Sequence, residues 1–226
     1  MHAPEGSIDE LITFLTDWHG TPEAKYGVPA SELPAGLPEP LRRLYAAAGR
    51  WPGRDPESHV PDAPGILQNQ DFLVRAEDLS PRDGWFDVIY ENQESWSIRV
   101  RANDPAGVPH SNAHWMWDDA GMDVYVPLTP TLEHVLMSFA LQESVLGADF
   151  LASVDDGDAW AAAWAEAEPV WENGWYVFEE PTHSFRRNGP FLLANIAGDG
   201  WIAWNDADAR LGEAVAASSR MIHSPE

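Results

Sequence analysis

The chain has 226 residues, 44% of them hydrophobic and 22% charged, which is usual for folded globular proteins and excludes a chain too polar to collapse. It has no cysteine, so disulfides, thiol nucleophiles and cysteine zinc sites are excluded. With 13 Lys and Arg against 37 Asp and Glu, the formal net charge is −24. This charge disfavours nucleic acid and anionic lipid as partners and favours a cationic protein. A need for solubility alone would also explain it.

Two helices are predicted in the N-terminal part of the chain. Ser7 and Glu10 have the spacing of a capping box, and apolar residues follow at helical spacing, which predicts a first amphipathic helix. A loop rich in proline and glycine over residues 19–39 leads to a second helix that begins near Pro38. Gly49 is predicted to end that helix in the left-handed conformation, which glycine adopts without strain.

The middle of the sequence predicts a small set of antiparallel strands. Residues 85–90 and 96–101 are rich in aromatic and β-branched residues and are separated by a turn, which predicts an antiparallel pair. Residues 115–117 and 124–126 predict two further short strands, and residues 66–74 predict a loop that leads into another.

The C-terminal part returns to helical spacing and then to strands. Thr129 or Thr131 is predicted to cap a third helix that ends near Gly147. Residues 155–168 are predicted to form a fourth helix, which Pro169 stops. Short apolar runs then predict a second β section, at residues 175–178, 191–196 and 201–204.

Few patterns in the sequence point to catalysis or to metal binding. His110 and His114 have a spacing that binds zinc from a helix, but Pro109 and the predicted strand after them disfavour a helix there. The acids around Gly121 lack the spacing of an EF-hand calcium loop. Nucleophile-elbow and phosphate-loop motifs are absent from the sequence. The sequence therefore predicts no metal, no cofactor and no enzymatic activity, with a hydrolase built from acids and His114 as the alternative.

Several short motifs occur in an order that resembles one known family. They lie at residues 37–45 (LPEPLRRLY), 48–52 (AGRWP), 90–93 (YENQ) before Trp96, 115–118 (WMWD) and 144–148 (SVLGA). In this order they resemble the SUKH superfamily, whose domains occur in fungal cell-wall assembly regulators and in many bacterial immunity proteins. Each motif alone is short, so their collective order carries the resemblance, which covers residues 8–150 best.

The resemblance implies both a fold and a function. The implied fold is α+β, with a central antiparallel sheet flanked by helices. Residues 1–150 would form the SUKH-like domain, and we expect residues 151–226 to add a C-terminal helix and β extension packed on it. The implied function is neutralisation of a bacterial toxin by direct binding, and a nuclease-type toxin would be a suitable cationic partner. A regulatory or scaffold module of the same superfamily, not tied to a toxin, is the alternative.

Candidate partner-binding residues lie around the predicted strand at residues 115–117. Trp115 and Trp117 would share one face of that strand and precede acidic residues, and such an aromatic pair beside acids suits a basic partner. The same pair would otherwise line the core. The candidate partner-binding residues are Trp115, Trp117, Asp118, Asp119, Asp123 and Glu91.

The sequence also bears on where the chain resides. Its first residues contain no Lys or Arg before their short apolar run, unlike a secretory signal. No stretch approaches the roughly 18 uninterrupted apolar residues of a membrane-spanning helix. We therefore expect a soluble, cytoplasmic protein with no membrane partner, whose oligomeric state the sequence does not predict.

Overall fold

The computed structural model describes residues 6–53, 65–116, 121–177 and 180–224. Within them the chain forms five α-helices and two antiparallel sheets of five and six strands, so the predicted α+β class is confirmed, with two sheets in place of one central sheet. The helices are α1 (Ile8–His19), α2 (Glu39–Ala48), α3 (Leu132–Leu146), α4 (Gly157–Glu166) and α5 (Glu213–Ala217). The strands are β1 (Asp71–Leu73), β2 (Trp85–Glu91), β3 (Ser97–Arg101), β4 (Pro109–Ser111), β5 (Val126–Pro127), β6 (Phe150–Val154), β7 (Glu168–Gly174), β8 (His183–Asn188), β9 (Phe191–Ile196), β10 (Asp199–Trp204) and β11 (Ser219–His223).

The first sheet has the strand order β1-β2-β3-β4-β5. Its longest pairing joins β2 to β3, with Phe86 opposite Val100, which confirms the predicted antiparallel pair. Both of these residues are fully buried, because one face of the sheet packs into the core. Trp85 and Arg99 are half-buried and lie on the opposite, outward face.

The second sheet has the strand order β11-β6-β10-β9-β8-β7. Strands β7 to β10 form a meander, whereas β6 lies between β10 and β11. One face of this sheet, with Phe185 and Leu192, belongs to the same buried cluster as the helices and the first sheet. The other face, with Leu193 and Ile202, forms a smaller cluster beneath α4 and α5. The two sheets therefore share one main core.

Helix α3 is buried along almost its whole length and contacts both α1 and the second sheet. A helix that is apolar on all sides belongs in a core, but α3 also buries polar side chains, including Ser138 and Ser144. The indole Nε1 of Trp171 donates to Ser138 Oγ at 3.0 Å, and that of Trp18 donates to the Ser144 carbonyl at 3.2 Å. These two hydrogen bonds attach α3 to β7 and to α1.

The predicted helix starts are confirmed at α1 and α3. The Ser7 hydroxyl accepts from the Glu10 N–H at 3.3 Å, and the Glu10 carboxylate accepts from the Ser7 N–H at 2.9 Å, which completes the capping box. At α3, the Thr131 side chain accepts from the His134 N–H at 3.3 Å. These two helix starts could be predicted from the sequence because each depends on a capping side chain a few residues away.

The predicted strand at residues 115–117 is wrong for its first two residues. Trp115 and Met116 lie in a short 3₁₀ helix, Ala113–Met116, and residue 117 lies outside the described residues. The cause is local, because the Ser111 hydroxyl accepts from the Ala113 N–H at 3.0 Å and turns the chain out of β4. Of the strand predicted at residues 124–126, only residue 126 lies in β5.

The second sheet was only partly anticipated. Strand β9 matches the predicted bounds and β10 contains residues 201–204, but β6, β7, β8 and β11 were not predicted. The strand predicted at residues 175–178 is wrong for residues 175–177, which follow β7. Pro169 lies within β7 and does not merely stop α4. Proline is tolerated there because β7 is an edge strand.

Gly49 follows α2 without the predicted left-handed conformation. Its φ is −65° and its ψ is −13°, values that any residue adopts. A Cβ at this position would lie 2.7 Å from Val28 Cγ2 and 2.8 Å from the Tyr45 carbonyl oxygen. Glycine is needed at this position because of close packing, and the prediction from capping rules is wrong.

We expect Gly49→Ala to lower the free energy of unfolding by about 1 to 3 kcal/mol, because the added methyl group overpacks a filled site. Urea denaturation would measure the change. Gly157→Ala is the matched control, because nothing lies within 4 Å of a Cβ there and helix propensity favours alanine. Equal effects of the two substitutions would contradict the steric explanation.

Candidate functional site

A cluster of buried polar side chains lies where both sheets contact α3. Asp71 of β1 accepts a hydrogen bond from Gln142 Nε2 at 2.8 Å and another from the Tyr176 hydroxyl at 2.9 Å. Gln142 Oε1 lies 2.9 Å from His183 Nε2, and since the amide oxygen only accepts, the imidazole donates. Through α3, these side chains connect β1 of the first sheet with β8 of the second.

Glu143 is the other acid of this cluster, and it is fully buried. Its Oε2 accepts from the N–H groups of Asn69 at 2.5 Å and Gln70 at 2.9 Å, and its Oε1 accepts from the Asp71 N–H at 3.0 Å. The Asn69 side chain also donates to the Glu143 carbonyl at 3.0 Å. One carboxyl group therefore binds the backbone that leads into β1.

Burial shifts the titration of this cluster but also closes it to ligands. Burial raises the pKa of Glu143 to about 8, against the lowering effect of its backbone donors, and raises the pKa of Asp71 to about 6. Burial lowers the pKa of His183 to about 4, which keeps the imidazole neutral. Such shifts are common at active sites, yet these three residues are 0%, 3% and 2% exposed, so a substrate cannot reach them in this conformation. We therefore expect the cluster to affect the stability of the fold.

We expect Glu143 to lower the free energy of unfolding as the pH rises from about 5 to about 8, whereas His183, whose folded pKa of about 4 lies below the ordinary 6.5, acts in the opposite direction up to about pH 6.5. The folded pKa of Glu143, about 8, lies above the ordinary 4.5, so the folded state holds its proton more tightly and loses this advantage as the pH rises. The loss attributable to Glu143 is about 3 kcal/mol. Urea denaturation at a series of pH values would measure it.

Glu143→Gln should remove most of this slope, even though the variant is less stable overall, because the amide does not titrate. Glu133→Gln, on the same helix, is the control and should keep the slope. General repulsion among the acids acts in all three proteins, so it cancels in the comparison. An unchanged slope in Glu143→Gln would refute the assignment.

The structure describes only some of the predicted partner-binding residues. Trp117, Asp118 and Asp119 lie outside the described residues, and for Trp115 only the backbone position in the 3₁₀ helix is described. Asp123 is exposed. Glu91 ends β2, at the end of the first sheet where β3 begins.

The carboxylate of Glu91 is engaged within its own turn. Its Oε2 accepts from the N–H groups of Gln93 at 2.9 Å and Ser95 at 3.2 Å. Glu91 therefore shapes the β2–β3 turn in this structure. Its predicted contact with a partner stays a prediction.

Exposed apolar side chains concentrate beside β4 and β5. Five of the large apolar side chains that are exposed in the described residues occur on the segments that flank or form these two strands. We call this group the apolar edge, and it consists of Val108, Met116, Met122, Val124 and Val126. Single exposed apolar residues are ordinary, whereas several of them on neighbouring segments make a candidate interaction surface.

Hydrogen bonds from β3 hold the segment that carries much of the apolar edge. Asn112 Oδ1 accepts from the Ser97 N–H at 2.8 Å, while its Nδ2 donates to the Met122 carbonyl at 2.7 Å. The Tyr125 hydroxyl lies 2.6 Å from Ser97 Oγ. The backbone of residues 121–127 is therefore positioned before any partner arrives, which reduces the entropy lost on binding.

An arginine between two aromatic rings extends this site onto the outward face of the first sheet. The guanidinium carbon of Arg99 lies 3.7 Å from the ring centroid of Tyr125 and 4.3 Å from that of Trp85. Its Nε is buried and has no hydrogen-bond partner within the described residues. Cation–π contacts stabilise this stack, and Trp, Tyr and Arg are the residue types most enriched among interface anchors.

The histidines of the zinc and hydrolase hypotheses are not joined by acids in the described residues. The ring of His110 lies 4.8 Å from that of Trp85, and its Nδ1 is 3.1 Å from the Val108 carbonyl oxygen. His114 is buried, and neither ring nitrogen has a hydrogen-bond partner in this part of the chain. No group of three or more His, Asp or Glu side chains among the described residues is arranged to hold a metal.

No protein-family model matches the sequence, and no characterised protein or solved structure matches it. No helix in the described ranges is long and apolar enough to cross a membrane.

Proposed function

We propose that this chain binds another protein through the apolar edge and the adjoining Trp85–Arg99–Tyr125 stack, and that it neutralises a cationic toxin in the cytoplasm without catalysing a reaction. The observation that carries the proposal is the concentration of exposed apolar side chains on a backbone segment fixed by Asn112 and Ser97. Apolar contact area on a preorganised frame is what a protein interface needs at its centre.

The charge of the chain supports a cationic partner. The net charge of −24 creates an attractive field for a basic protein and speeds its diffusional encounter. Asp123 is exposed between Met122 and Val124, so an acidic group stands within the apolar edge itself. Because the site itself holds Arg99 as well as Asp123, the long-range attraction would come from the field of the whole chain, and the apolar edge would supply the short-range contact.

The resemblance to the SUKH superfamily supports an immunity role among protein-binding functions. It rests on short motifs and is independent of the exposed surface, yet the YENQ motif ends at the β2–β3 turn, at the end of the first sheet where Ser97 and Asn112 hold the apolar edge. A regulatory or scaffold module would use the same kind of surface. A toxin partner distinguishes the two functions.

We expect this chain to form a 1:1 complex with the protein encoded by the neighbouring gene. Expression of this chain should also protect cells from the toxicity of that protein. Met122→Ala combined with Val124→Ala should weaken the complex by roughly 10- to 100-fold, the usual effect of losing two interface contacts. Surface plasmon resonance would measure the affinity, and growth of the co-expressing cells would measure protection.

Met221→Ala combined with Ile222→Ala is the matched control, because these β11 side chains are 48% and 44% exposed, against 50% and 47% for Met122 and Val124. The control variant should bind as the unaltered chain does. Equal weakening by both double variants would reject the apolar edge. A neighbour that binds but is harmless to cells would favour the scaffold role.

The association rate should also depend on salt. We expect the rate constant for complex formation to fall by about tenfold or more between about 0.05 M and about 0.5 M salt, because ions screen the attraction between an acidic and a basic protein. The dissociation rate, which apolar contacts determine, should change much less. An association rate independent of salt would contradict a cationic partner while leaving the apolar edge untouched.

A further inference from the structure

A cavity of about 390 Å³ opens between α4, α5 and the outer face of the second sheet. Its apolar walls are formed mainly by Ala162, Phe191, Leu193, Ile202, Leu211 and Val215. Leu193 and Ile202 form the floor and are each 2% exposed. This volume lies within the range of small-molecule sites, roughly 300 to 1,000 Å³.

The cavity exists because the two helices cover the sheet incompletely. Neither α4 nor α5 buries any residue fully, and α5 has only five residues. On the cavity side, α4 contributes the small side chains of Ala159, Ala162 and Ala163. The tryptophans of α4, Trp160 and Trp164, pack against the same small cluster but do not line the cavity. Alanines therefore leave open a space that larger side chains would fill.

The charges at the cavity have one sign. Glu166 at the end of α4 and Glu213 at the start of α5 are the charged residues among the described lining. The nearby Arg187 donates to the Gly189 carbonyl at 3.2 Å, and Arg210 donates to carbonyl groups of its own loop. Neither arginine lines the cavity. An anionic ligand would be repelled, whereas a cationic group would be attracted to both carboxylates.

We propose that this cavity binds a small hydrophobic amine, with the apolar body against Leu193 and Ile202 and the ammonium group at the mouth beside Glu166 and Glu213. The apolar walls supply the affinity, since burying apolar surface is worth about 25 cal/mol per Å². The two carboxylates supply the preference for a cation. This site lies on the second sheet and is separate from the apolar edge, so either proposal can fail without the other.

Titration calorimetry with 4-phenylbutylamine, and with 4-phenylbutyrate as its anionic counterpart, tests the proposal. We expect the amine to bind at millimolar concentrations or below, about fivefold or more tightly than the acid. No heat of binding for the amine, or equal affinity for the acid, would overturn it.

Two pairs of variants locate the bound amine. Ala162→Phe fills the cavity and should weaken binding of the amine by about tenfold or more, whereas Ala161→Phe, on the same helix but outside the lining, should not. Circular dichroism of both variants shows that they fold. Unchanged binding to Ala162→Phe would overturn the location.

Glu166→Gln combined with Glu213→Gln should bring the amine and acid affinities to within about twofold of each other, because the charge preference depends on these two groups. Asp158→Asn combined with Asp208→Asn, which removes two exposed acids outside the lining, should keep the preference. A preference that survives in the glutamate variant would refute their role.

Discussion

The carboxyl group of Glu143 accepts hydrogen bonds from the three backbone N–H groups of residues 69–71. Much of the structure depends on this interaction. Two of these donors precede β1 and the third, Asp71, is its first residue; the strand is only three residues long and forms an edge of the first sheet. A strand this short has few ladder bonds of its own. It is placed by a side chain from the central helix, so the edge of one sheet is fixed by the helix that also supports the other.

The same helix divides its polar groups among its neighbours. The Gln142 side chain is hydrogen-bonded to Asp71 and His183. The Ser138 hydroxyl accepts a hydrogen bond from the Trp171 indole, and the Ser144 carbonyl accepts one from the Trp18 indole. Apolar packing alone would allow α3 to rotate or slide between its layers, since apolar contact has little directional preference. Directional hydrogen bonds at successive turns fix the rotation of α3 about its axis and its position along that axis. The exposed surface is arranged differently. Of the eight large apolar side chains exposed in the described residues, six lie on or beside the edge strands β1, β5 and β11, and Val108 and Met116 flank β4.

Features encoded by neighbouring residues could be predicted from the sequence, and features created by distant contacts could not. The capping of α1 by Ser7, the β2–β3 pair and the bounds of α3 all depend on residues a few positions apart. The role of Gly49 depends on Val28, which lies in the loop between α1 and α2, so capping rules gave the wrong reason for this glycine. The buried cluster joins Asp71 to Tyr176, which no local pattern connects. Most of the partner-binding residues predicted from the sequence lie in the same part of the chain as the apolar edge, and their role stays a prediction. The strand predicted there was wrong for residues 115 and 116. The exposure of Met122 and Val124 depends on how β5 ends the sheet.

The position of β6 has a consequence for the order in which the chain folds. This strand begins at residue 150, yet both of its neighbours, β10 and β11, begin after residue 198. The side of α3 that meets the second sheet is likewise covered by residues that are synthesised later, such as Phe185 and Leu192. During translation, residues 6–148 must leave the ribosome with a large apolar surface bare until some fifty further residues have followed, at about 5 to 20 residues per second. The contacts that close the fold are therefore of long sequence separation, which makes late, slow docking and a transient need for chaperones the expected behaviour of the nascent chain.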